Sequence, residues 1–172
     1  SRSLGCWLMP VGLGLKIALF PLHLWLPNAY AYAPSAVSAF LAATATKVAV
    51  YVLLRFMFTV FGIDFALGAM PLSAGLVVLG SVAVLSASTV AIFQHNLKRM
   101  LAYSSIAHAG YVLMALVAAD GESLAANPQL SGVLFYLLAY TFMTLGAFAV
   151  LTLMTEDGDD RTHIDNLSGL AE

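Results

Sequence analysis

The stretch AVSAFLAATATKVAVYVLLRFMFTVFGI, residues 36–63, decides how this chain is to be read. It is long enough to cross a bilayer, whose hydrocarbon core takes about 20 apolar residues in helical form. Its only charges are Lys47 and Arg55. Arg55 lies toward the far end, where a long side chain reaches the membrane surface. Lys47 lies about twelve residues in, roughly 18 Å along a helix that rises 1.5 Å per residue. That is close to the middle of a membrane. A cation there costs several kcal/mol unless protein, water or a partner faces it, and such residues mark ion and proton pathways.

The rest of the chain repeats the pattern. Of 172 residues, 61% are hydrophobic and 9% charged, whereas a soluble domain carries about 25% charged residues. No charge occurs from Phe65 to Leu97, from Met100 to Ala119, or from Ser123 to Thr155. Each window can hold a membrane span. The expected fold is therefore all-α, a polytopic transmembrane helical bundle. A net charge of −2 with seven Lys plus Arg does not make a nucleic-acid surface. A single cysteine, Cys6, excludes a disulfide framework and a Cys-rich metal or iron–sulfur site. The chain starts at Ser1, next to a hydrophobic segment, and ends at Glu172 in a polar stretch. The expectation is an internal piece of a larger membrane protein.

About five segments are expected. The first, residues 4–20, contains Lys16 and is broken by Pro21, Pro27 and Pro34, because proline removes a donor and clashes with the preceding turn. Broken backbone at membrane depth must be satisfied by protein or water and often frames a transport site. The second runs over 35–61, with Ser35 or Ser38 as its cap. The others are expected at 72–93, 101–119 and 130–154. Residues 1–155 then form one transmembrane domain, and 156–172 a polar loop. The pair Lys98-Arg99 between the third and fourth segments belongs on the cytoplasmic side, which also turns the tail inward.

Lys16 and Lys47 can carry protons, since a lysine held out of water exchanges its proton more readily. The plainer alternative is a lysine that snorkels or binds carbonyls freed at the helix break. In the fourth segment Ser104, His108 and Tyr111 share one face by their spacing. His108 is either a proton relay or a neutral imidazole hydrogen-bonded between helices. Tyr136, Tyr140 and Thr144 form a similar stripe on the fifth segment, suited to ordering water or joining helices. His23 lies in the broken region among Trp25, Tyr30 and Tyr32 and is a further candidate for the path. No histidine pair has metal-ligand spacing with a carboxylate, no dinucleotide fingerprint is present, and no catalytic triad or carboxylate pair is visible.

The stretch LKIALFPLHLWLPNAYAYAPSAVSAFLAATATKVAVYVLLR, residues 15–55, resembles the signature of antiporter-like membrane subunits, and AIFQHNLKRMLAYSSIAHAGY, residues 91–111, is similar to that family's next hallmark. These are the proton-pumping subunits of respiratory complex I (NADH:quinone oxidoreductase) and of Mrp-type cation/proton antiporters. The resemblance implies the family's central helices, with Lys16 matching the lysine of its broken helix and Lys47 that of the following helix. It implies proton translocation coupled to electron transport, with Mrp-type Na+/H+ antiport and a purely structural membrane subunit as alternatives. NADH, flavin, iron–sulfur and quinone are then expected only in partner subunits. The expected partners are the lipid bilayer and other antiporter-like subunits, in a bacterial or archaeal cytoplasmic membrane. Asn28 departs from the aspartate of many members. FYLLAYTFMTLGAFAVL, residues 135–151, offers tyrosines where many place histidine and resembles the N-type subunit, while the front half is more like the D-type antiporter subunit.

Overall fold

A computed structural model describes residues 2–19, 21–61, 72–118, 128–154 and 163–164. Every long element in it is a helix: α1 (Arg2–Ile17), α2 (Trp25–Tyr32), α3 (Ser35–Phe40), α4 (Thr46–Arg55), α5 (Leu72–Ile92), α6 (Leu97–Val117) and α7 (Pro128–Leu153). Between α3 and α4 the backbone is π-helical over Leu41–Ala45, and it is so again over Phe56–Phe61. The run from Ser35 to Val60 is therefore one span. With Ser73–Ile92, Leu97–Val117 and Leu130–Leu153 it makes four helices long and apolar enough to cross a membrane. The chain is an all-α membrane protein.

The first segment is broken, as expected, but the break begins before Pro21. Ala18 takes a left-handed φ of 60°, its N–H bonds the Leu15 carbonyl at 3.2 Å, and the Leu19 N–H bonds the Gly14 carbonyl at 2.8 Å. This pair of bonds is the Schellman ending of a helix. Pro21 explains the need for it, since its ring would strike the carbonyl of Ile17 in a continuous helix. Pro27 falls in the first turn of α2, where a missing N–H costs nothing, and Pro34 precedes α3. Neither serine caps that helix by its side chain. The hydroxyl of Ser38 instead donates to the Tyr30 carbonyl at 3.0 Å, across the α2–α3 corner.

The fourth span begins at Leu97, four residues earlier than its composition suggests. The side chain of Asn96 caps it by accepting the Arg99 N–H at 3.2 Å. At that end the Ile164 N–H bonds the His95 carbonyl at 3.0 Å, so the tail returns to the α5–α6 turn. Residues 62–71 and 119–127 and most of 155–172 lie outside the described residues. Most of the expected polar loop falls there.

Apolar packing divides into two cores. One joins Val50, Leu53 and Met57 of the second span to Val112, Leu116, Leu130 and Val133, together with Ile17 and Leu19. The other joins Ala42 to Ala102, Ile106, Phe148 and Leu151, together with Ala18, Leu26 and Tyr30. The break in the first segment thus sits at the seam between them. Helices α5 and α6 touch backbone to backbone. A carbon added at Gly110 would lie 2.7 Å from the Gly80 carbonyl oxygen, so only glycine permits this crossing.

Candidate functional site

The seam holds the polar side chains. Lys47, His108 and Tyr140 each lie within two residues of the centre of their spans, Ser35–Val60, Leu97–Val117 and Leu130–Leu153. Helix periodicity brings them to the same interior line, and the three helices place them in contact. The Lys47 ammonium lies 4.4 Å from the centre of the Tyr140 ring, within cation–π range. The imidazole of His108 stacks on the same ring, with centres 3.9 Å apart and planes 28° apart.

Each group has a further anchor. Lys47 Nζ donates to the Ala42 carbonyl oxygen. That carbonyl belongs to the π-helical turn, where the regular ladder is interrupted; such turns are frequent at functional sites. His108 Nδ1 shares a hydrogen bond with the Tyr136 hydroxyl. The Tyr140 hydroxyl shares one of 2.9 Å with Ser105, and Thr144 donates to the Tyr140 carbonyl at 2.5 Å. Tyr140 is buried, while Lys47, His108 and Tyr136 are half-buried.

Between these groups lies a cavity of about 20 Å³ bounded by Thr46, Lys47, Ser105, His108, Tyr136 and Tyr140 among others. One water needs about 10–15 Å³, so the space admits one. A larger cavity of about 360 Å³ shares part of its lining with this one. Val112 and Tyr136 line both, and Tyr111, which also lines the larger one, is exposed at the surface of the chain. Tyr111 also meets His108 edge-on at 6.0 Å. A series of polar groups therefore runs from Lys47 past Tyr140 and His108 to Tyr136 and Tyr111. Its chemistry suits proton transfer: an amine, an imidazole and hydroxyls, with room for water.

Lys47, His108, Tyr136, Tyr140 and Tyr111 are thus brought together. Lys16 and His23 are not in this cluster. Lys16 is exposed on the last turn of α1, next to the break. His23 packs edge-on against Tyr103 at 6.3 Å. The carbonyl of Leu15, which the break exposes, is taken by Trp25 Nε1 at 2.9 Å. Sequence reading missed Lys98, which is fully buried and donates to the Ala33 carbonyl at 3.1 Å. Arg99 beside it donates to the Asn28 side chain at 3.2 Å. The KR pair therefore ties α6 to the α2–α3 corner. Nothing in local composition marks this, because the acceptor is 65 residues away. Among the described residues, no group of three His, Cys, Asp or Glu is arranged to hold a metal ion.

Residues 1–172 match the family described as NADH:quinone oxidoreductase/Mrp antiporter, TM. NADH-quinone oxidoreductase subunit N 3 of Streptomyces griseus subsp. griseus is 43% identical over 161 residues, 92% of this chain and 27% of its own length. NADH-quinone oxidoreductase subunit N of Ectopseudomonas mendocina is 44% identical over 159 residues, 89% of this chain and 29% of its own. Respiratory complex I from Thermus thermophilus with bound aureothin contains a chain of similar fold. The TM-score is 0.68 at 38% identity, over 87% of this chain and 30% of that one. A chain of the membrane-bound sulfane sulfur reductase, an archaeal respiratory membrane complex, aligns with a TM-score of 0.76 at 28% identity, over 92% of this chain and 30% of that one. The chain spans about three-tenths of the length of the relatives it matches.

Proposed function

This chain belongs to the NADH:quinone oxidoreductase/Mrp antiporter transmembrane family, and from that premise we propose that it forms the proton-carrying centre of a membrane subunit of the NADH:quinone oxidoreductase type. The observation that carries the reading is the contact of Lys47, Tyr140 and His108 at the middle of three spans. Lys47 holds and releases the proton, His108 receives it, and Tyr136 and Tyr111 lead it toward the larger cavity. Lys16, exposed beside the helix break, is assigned to the same pathway at a surface that other helices of the subunit cover. His23 stays an auxiliary candidate on the far side of that break.

The relatives are named as subunit N of NADH-quinone oxidoreductase, which favours the redox-driven complex over the Mrp-type antiporter. In this reading electron transfer takes place elsewhere. NADH, flavin, iron–sulfur and quinone belong to partner subunits, and this chain sits among other antiporter-like subunits in a cytoplasmic membrane. A second reading has its own support: the bond from Lys47 to Ala42 makes the lysine a staple for the π-helical turn. Substitution separates the two. Lys47→Ala in the full-length subunit is expected to abolish proton translocation while the complex still assembles and oxidises substrate. Measured in sealed vesicles with a pH-sensitive dye, wild-type translocation by this variant excludes the carrier role. Loss of assembly instead identifies the staple.

A further inference from the structure

We propose that Tyr30 is a further member of this pathway, whose hydroxyl holds one water against Tyr140 and relays the proton toward the helix break. The inference rests on the proton-pathway reading above. Tyr30 is fully buried, in a core that it shares with Ala18, Leu26, Ala42, Ile106 and Phe148. Its hydroxyl is buried with it and has no hydrogen-bond partner among the described residues. A buried polar group left in that state lowers stability, and phenylalanine would fill the same space without that loss. Such a group in a packed core points to an ordered water or to chemistry.

The side chain is held in place on its other atoms. Phe148 meets the ring edge-on, with centres 5.9 Å apart and planes at 81°. Ser38 donates to the Tyr30 carbonyl at 3.0 Å, which fixes the backbone at the α2–α3 corner. Nearby stands a group of hydroxyls: Ser105, at 2.9 Å, and Ser104 hold the hydroxyl of Tyr140. Tyr30 and Tyr140 make no direct hydrogen bond, yet they lie near enough to act on each other electrostatically. One water joins the two hydroxyls in this proposal. Tyr140 also lines the one-water cavity together with Lys47 and His108, so the polar line runs from that cavity through Tyr140 to Tyr30. A proton moves along it by shifting each O–H bond one place. Every member takes one proton and gives one, and both phenols and the water end unchanged. Tyr30 belongs to α2, the helix that follows the break. Broken backbone at membrane depth is satisfied by protein or water, and water at the break is the next acceptor.

The test uses the full-length subunit in its assembled complex. Proton translocation is read in sealed vesicles with a pH-sensitive dye, and thermal melting is read in detergent. Tyr30→Phe removes the hydroxyl and nothing else. Translocation is expected to fall by about tenfold or more, as on losing a positioned proton carrier. The melting midpoint is expected to hold or rise, because the lost group has no partner among the described residues. Tyr32→Phe, which takes an exposed hydroxyl from the same helix, is the control and is expected to pump as wild type. Wild-type translocation by Tyr30→Phe overturns the relay. A melting midpoint that drops along with pumping also overturns it, since the hydroxyl is then a structural support. An equal loss in Tyr32→Phe does the same. If the relay alone fails, Lys47→Ala still does not translocate; if the pathway reading fails, Lys47→Ala pumps.

Discussion

Lys47 is kept at mid-membrane by neighbours of different kinds. Placing a cation there costs several kcal/mol. The carbonyl of Ala42 contributes about 1.5–3 kcal/mol as a hydrogen bond to a charged group. The Tyr140 face adds about 0.5–2 kcal/mol, and the adjoining cavity has room for one water to accept from a remaining donor. These gains are of the size of the cost, so the ammonium is tolerated without a carboxylate beside it among the described residues. Among the described residues no opposite charge lies beside His108 either. It is held by stacking and by the Tyr136 hydroxyl, an arrangement that orients a ring without fixing its proton. We expect His108→Leu to lower the translocation rate by about tenfold or more, since removing a positioned proton carrier typically costs about 10²–10⁴ in rate. An unchanged rate in the vesicle assay takes His108 out of the pathway. Both residues were legible in the sequence because a charge or an imidazole interrupts an apolar window. Lys98 was not: it looks like a loop cation beside Arg99, and only the α2–α3 corner packed over it buries it.

The end of α1 uses alanine where the left-handed position favours glycine, and a Cβ there costs about 1–2 kcal/mol. Ala18→Gly is therefore expected to raise stability, by up to about 1 kcal/mol after the added chain entropy of glycine. Thermal melting in detergent checks this, and a lower midpoint contradicts it. The α5–α6 crossing gives the opposite test. Gly110→Ala puts a carbon 2.7 Å from the Gly80 oxygen and 2.8 Å from Val84 Cγ2, an overpacking that costs about 1–3 kcal/mol. Gly146→Ala, where the added carbon meets nothing within 4 Å, is the control and is expected to hold or gain stability. Equal melting of the two variants removes the close-contact argument. Three of the four long spans could be read from charge-free windows, the other from the apolar run around Lys47, and the break in the first segment from its prolines. The π-helical turn at Leu41–Ala45 could not, because neither proline nor glycine marks it. It packs against α7, and it supplies the carbonyl that Lys47 uses.

At the scale of the molecule, two apolar cores lie on either side of one polar layer. A proton crossing such a bundle meets packed apolar side chains on the side of Ala102 and Phe148 and the larger cavity on the side of Val112 and Val133, so the layer at the seam decides where it can dwell. The broken first segment enters at the same level, with Ile17 and Leu19 in one core and Ala18 in the other. The helix break and the half-buried Lys47 thus meet the same seam, from opposite ends of the stretch from Lys16 to Lys47. The layer's members were visible as separate stripes in the sequence, but their meeting was not, since spacing along a helix does not say which neighbour it faces. The most direct test of the layer's role is proton translocation by the full-length, assembled subunit carrying Lys47→Arg. Arginine keeps the charge, the reach and the affinity for an aromatic face, but does not give up its proton. The account predicts a complex that assembles and transfers electrons without moving protons. Wild-type proton translocation by that variant would contradict it, leaving Lys47 as a fixed charge and no carrier.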